Sequence, residues 1–91
     1  MAGYHVTNST DHTVHVTIYQ PLGIKIGYAD VPVGVTWDFT SGFWAIGTTY
    51  KLLAEYSETL QTDTHQVLRH IDFDSISIVG NASGISWQTP G

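Results

Sequence analysis

Ninety-one residues without a cysteine exclude a disulfide-braced scaffold and point to one domain, residues 1–91, whose thin core relies on apolar packing or on a subunit interface. Charged residues make up 12% of the chain, and eight acidic residues outweigh three basic ones (Lys25, Lys51 and Arg69) to leave a net charge of −5, against a usual charged share of about 25%. The three basic residues are scattered along the sequence. That excludes a basic patch and the counterion-release affinity for nucleic acid or anionic lipid that goes with one, so a neutral partner is expected.

The opening "MAGYHVTNST" lacks the basic and apolar regions of a signal peptide, so the expectation is a leaderless cytoplasmic protein. No apolar run approaches the ~20 residues of a transmembrane helix. Period-two alternation then dominates. "GYHVTN" (3–8) places Tyr4 and Val6 on one face, and "TVHVTIY" (13–19) places Val14, Val16 and Ile18 on one face with Thr13, His15, Thr17 and Tyr19 on the other. "NSTDHT" (8–13) between them is turn chemistry. The sequons "NST" (8–10) and "NAS" (81–83) read as turns rather than as glycosylation sites.

After "QPLG" (20–23), "IKIGY" (24–28) sets Ile24, Ile26 and Tyr28 against Lys25. "DVPVGV" (30–35) is a turn or a crossing between sheets, and "TWDF" (36–39) points Trp37 and Phe39 together. "TSG" (40–42) turns the chain into the apolar "FWAIG" (43–47). "YKLLAEY" (50–56) aligns Tyr50, Leu52, Ala54 and Tyr56. The same region, 49–60, also fits a helix through Leu52, Leu53, Tyr56 and Leu60. "QVLRHIDF" (66–73), "SISIV" (75–79), the turn "GNASG" (80–84) and "ISWQT" (85–89) complete the chain. The sum is an all-β fold, a small antiparallel β-sandwich of about eight short strands.

No G-x-S-x-G elbow, H-E-x-x-H pair or Gly-rich phosphate loop occurs, so no enzyme and no cofactor are expected. Asp72 and Asp74 in "DFD" are candidate calcium ligands, although such a pair also starts turns. "HVT" occurs at 5–7 and 15–17. If the first two strands form a hairpin, His5 and His15 share its polar face, and a zinc site there would still need a third ligand. Protonating all five histidines would move the charge from −5 to 0, so solubility or self-association should depend on pH between about 5 and 7.

The aromatic residues are the most informative. Phe43 and Trp44 are consecutive and point to opposite sides of an extended chain, so one of them leaves the core or sits under a loop. An outward Trp44 suits sugar stacking, a subunit interface or the interfacial zone of a bilayer.

The stretches "HVTNSTDHTVHVTIY" (5–19) and "VPVGVTWDF" (31–39) resemble the opening of leaderless β-sandwich proteins, the aegerolysins and the actinoporin-like fungal fruit-body lectins. That resemblance implies a binding protein for glycans or membranes, without catalysis. The expectation is a lectin, assembled as a homo-oligomer for avidity. Trp44 and Trp87 would stack on sugar, while Asp38, Thr48 and Asn81 would bond its hydroxyls. The alternatives are a membrane- or sterol-associating module of the pore-forming type, and a self-assembling structural protein.

Overall fold

A computed structural model describes residues 3–40, 49–57, 65–70, 75–81 and 83–89. It contains eight strands: β1 (Gly3–Ser9), β2 (Val14–Tyr19), β3 (Lys25–Val31), β4 (Thr36–Thr40), β5 (Tyr50–Tyr56), β6 (His65–His70), β7 (Ser75–Asn81) and β8 (Gly84–Gln88). They form two four-stranded sheets packed face to face. Sheet A has the order β4-β1-β7-β8 and sheet B the order β3-β2-β5-β6. The all-β sandwich is as expected, and residues 50–56 are strand rather than helix. The apolar stretch 43–47 lies outside the described residues.

Alternation decides what is buried. Tyr4 and Val6 of β1, Val14, Val16 and Ile18 of β2, Tyr50, Leu52 and Ala54 of β5, and Ile76 and Ile78 of β7 make the core with Val31. Trp37 and Phe39 face inward together, their ring centroids 5.4 Å apart, which is the offset spacing aromatic pairs favour. Phe39 reaches across the sandwich to Gly27 of β3. A Cβ at Gly27 would lie 2.3 Å from the ring, so this glycine makes room for a bulky partner from the other sheet.

The topology departs from simple hairpins in two ways. β1 and β2 belong to different sheets, so the His5–His15 hairpin does not form. β1 instead lies antiparallel to β4 and parallel to β7. Every other pairing is antiparallel. The parallel pair needs no crossover helix because β2 to β6 intervene in sequence, with β2, β3, β5 and β6 in sheet B and β4 in sheet A.

The two crossings between sheets that lie wholly within the described residues, β1 to β2 and β3 to β4, rest on turn chemistry. The chain passes from β3 to β4 through Pro32–Val35, where Val35 N–H donates to the Pro32 carbonyl at 3.1 Å and Gly34 holds φ at +78°. That is a type II turn, and its positive φ selects glycine. At the β1–β2 crossing, Asn8 is fully buried and bonded at every side-chain atom. Its Nδ2 donates to the carbonyls of His12 (2.8 Å) and Val31 (2.7 Å), and its Oδ1 accepts from the N–H (2.9 Å) and Oγ1 (2.6 Å) of Thr10. The "NST" sequon is therefore a structural turn whose Asn is inaccessible to modification in the fold. In the second sequon, the Asn81 Oδ1 accepts from Ser83 N–H at 2.9 Å, an Asx turn at the β7–β8 hairpin.

Candidate functional site

The three described residues among those expected to hold a sugar, Trp87, Asp38 and Asn81, do not converge. Trp44 and Thr48, like the calcium candidates Asp72 and Asp74, lie outside the described residues. Trp87 sits opposite the core residue Ile78 and packs against the core cluster. Its indole N–H donates to the Gln66 carbonyl of sheet B at 3.1 Å, and its backbone N–H donates to Gln66 Oε1 at 3.1 Å. Trp87 thus ties one sheet edge to the other. Asp38 is on the far edge strand β4, on the outer face, and accepts from His5 Nδ1–H at 2.5 Å. Asn81 is at a hairpin tip, where its carbonyl accepts from Tyr56 Oη–H. The three described members occupy an inner face, an outer face and a tip.

Histidine chemistry is also rearranged. His5 pairs with Asp38, His12 with Asp11 (2.8 Å) and His15 with Asp30 (2.9 Å). The His15 and Ser57 hydrogen bonds hold the Asp30 carboxyl below its ordinary value. Among the described residues no three metal-ligating side chains cluster.

The outer face of sheet B gathers what the sequence disperses. Cross-strand register stacks its outward residues in three rows. The first is Asp30, His15, Glu55 and His65, and the second is Tyr28, Thr17, Leu53 and Val67. The third is Lys25, Tyr19, Lys51 and Arg69. All three basic residues of the chain therefore share one row, which overturns the expectation that no basic patch exists. A register shift between Ile18 and Tyr19 brings Lys25 into that row. The shift also breaks the alternation expected for 24–28. Ile26 packs on the core, whereas Lys25 Nζ lies 4.7 Å from the centroid of the Tyr28 ring. Lys51 Nζ sits likewise 4.5 Å from the Tyr19 ring, and both are cation–π distances.

Tyr28 is 62% exposed in the middle row. Lys25 lies on one flank, and His15 on another at 5.9 Å between ring centroids. At the basic end the row opens into a cavity of about 290 Å³ lined by Gln20, Pro21, Leu22, Gly23, Thr49, Lys51 and Arg69. Its wall is the β2–β3 connection. Gly23 N–H donates to the Gln20 carbonyl at 2.8 Å, with Pro21 and Gly23 at the second and fourth positions, where β-turns favour them. Leu22 at the turn's tip is 89% exposed, and Ile24 beside it is 59% exposed. The arrangement offers an aromatic ring and polar donors on a flat face, next to a small polar recess.

No protein-family model matches the chain. No curated protein and no solved structure matches it either. Among the described residues no helix is long and apolar enough to cross a membrane.

Proposed function

We propose that the chain is a non-enzymatic carbohydrate-binding protein, and that its site is the outer face of sheet B rather than the scattered set around Trp87, Asp38 and Asn81. The exposed Tyr28 ring carries this proposal: it is flanked by Lys25 and His15 and lies between two rows of polar side chains. A sugar's C–H face is apolar and its hydroxyls seek donors and acceptors, so a ring bordered by such groups matches both halves of it. Asp30 offers carboxylate acceptors and Lys25 offers ammonium donors on either side of the ring. Work as a homo-oligomer, in the cytoplasm, belongs to the same proposal. Several copies would multiply a weak single-site affinity on a repeated glycan. The buried, fully bonded Asn8 accords with a chain that does not depend on N-glycosylation.

A glycan array tests the proposal, and no signal at high protein concentration ends it. One observation favours a second reading, association with a membrane surface. Leu22 and Ile24 project from a turn beside the basic row, where apolar side chains could enter the interfacial zone. Sedimentation with vesicles, lost in Leu22→Ser, would favour that reading over the first.

A further inference from the structure

We infer that the recess at the basic end of sheet B is an oxyanion site, and that the glycan it serves carries a carboxylate or sulfate. The inference rests on the glycan proposal for the identity of the ligand but not for the existence of the site.

Lys51 and Arg69 are directly opposite each other on β5 and β6 and line the same cavity. Directly opposed cross-strand residues hold their Cβ atoms about 4.5–5.5 Å apart, and like charges so placed repel. A chain with only three basic residues sets two of them against each other at a cavity mouth. Nothing described neutralises them. The ion pairs among the described residues all join a histidine to an aspartate. Glu55 stands four residues along β5 from Lys51, about 13 Å away at the strand rise and beyond the screening length of ~8 Å at physiological salt.

The recess also holds the groups an oxyanion needs. Arg69 supplies a planar fork that matches carboxylate or sulfate, and Lys51 supplies a second positive charge. Thr49 and Gln20 add hydroxyl and amide donors at the wall. At about 290 Å³, the space lies near the lower bound of small-ligand sites, ~300 Å³. Lys51 belongs both to the recess and to the row that ends at Lys25, which lies over Tyr28. A sugar on that ring can extend an acidic substituent along the row into the recess.

Titration with sodium sulfate against sodium chloride at equal ionic strength, followed by amide chemical shifts, tests the site itself. Saturable shifts at Gly23, Thr49 and Arg69 are expected. Affinity should fall at least tenfold in Lys51→Gln/Arg69→Gln and stay within twofold in His5→Gln, on the outer face of sheet A. Circular dichroism should show the double variant folded without sulfate, since both side chains lie at the surface recess and outside the core, so loss of binding is read from a folded protein. Absent or non-saturating shifts, or unchanged binding in the double variant, would overturn the site.

A glycan array and vesicles then identify the source of the anion. Uronate-bearing or sulfated glycans should outbind their neutral counterparts, with the preference lost in the double variant. If sulfate binds the recess but no acidic glycan does, the site stands and the glycan assignment falls. If neutral glycans bind with no gain from acid groups and sulfate does not bind, the inference fails while the glycan proposal stands. Sedimentation with vesicles containing anionic phospholipid but not with neutral ones, abolished in the double variant, would assign the anion to a lipid headgroup and overturn the sugar.

Discussion

Asn8→Ala should be among the most damaging substitutions this fold can suffer. Asn8 is fully buried at the crossing from sheet A to sheet B. Its side chain satisfies the His12 and Val31 carbonyls and the Thr10 N–H, and it accepts from the Thr10 hydroxyl. That hydroxyl also lies 2.8 Å from the His12 carbonyl, so it can redirect its single proton there when Asn8 is gone. Three bonds are then lost outright, and water has poor access to the groups left behind. At about 1 kcal/mol per lost bond, with the higher cost of unsatisfied buried groups, the loss is about 3–4 kcal/mol. An unfolding entropy of about 2.1 cal/mol/K per residue over a chain of this length converts that into a Tm drop of roughly 15–20 °C. Thermal unfolding by circular dichroism, with a urea titration to give the free energy, measures it. Asn8→Asp should be at least as harmful, because it loses both donors and buries a charge. A Tm drop below about 5 °C for Asn8→Ala would refute the claim that this side chain joins the two sheets.

Three further outcomes follow from the packing and electrostatics. Gly27→Ala should cost about 1–3 kcal/mol by overpacking the Phe39 ring, and in Gly27→Ala/Phe39→Leu the two effects should be less than additive by urea titration. Asp30 has a lowered pKa, chiefly from the His15 bond and then from the Ser57 bond. Its carboxylate therefore adds stability above the ordinary 3.8, and that stability fades as pH falls from there through the lower folded value. Asp30→Asn should flatten this acid limb of a Tm–pH profile, by a small amount because the carboxylate is exposed. Tyr56→Phe should lose about 1 kcal/mol through its bond to the Asn81 carbonyl. It should also remove stability loss above the ordinary 10.0, since burial, then the Asp11 charge, raises the phenol's pKa.

Much of the fold was legible because alternation is a local signal. Val14, Val16 and Ile18 announce an inward face, and so do Leu52 and Ala54, with no knowledge of their neighbours. "DVPVGV" was legible as a turn or a crossing between sheets because Pro32 and Gly34 punctuate it, and Pro32–Val35 serves as both. Partners were not legible. Nothing local says that β1 joins β4 and β7 rather than β2, so the two "HVT" segments suggested a histidine pair that the topology separates. The outer face of sheet B was not legible for the same reason. Lys25, Lys51 and Arg69 are far apart in sequence and become one row only through three strand pairings and a register shift at Tyr19. Trp87 shows the converse: its alternation in "ISWQT" leaves its side open, and only the Gln66 contact fixes it as structural.

Tyr28 decides whether the outer face of sheet B is a glycan platform. Wild type and Tyr28→Ala are screened side by side on one glycan array, after circular dichroism has established that both are folded. Tyr28 is exposed and outside the core, so the variant should fold as wild type does. Wild type should give concentration-dependent signals on a related set of glycans, and Tyr28→Ala should lose them at least tenfold. Equal signals from both proteins would place the sugar elsewhere, and silence from both would remove glycan binding altogether.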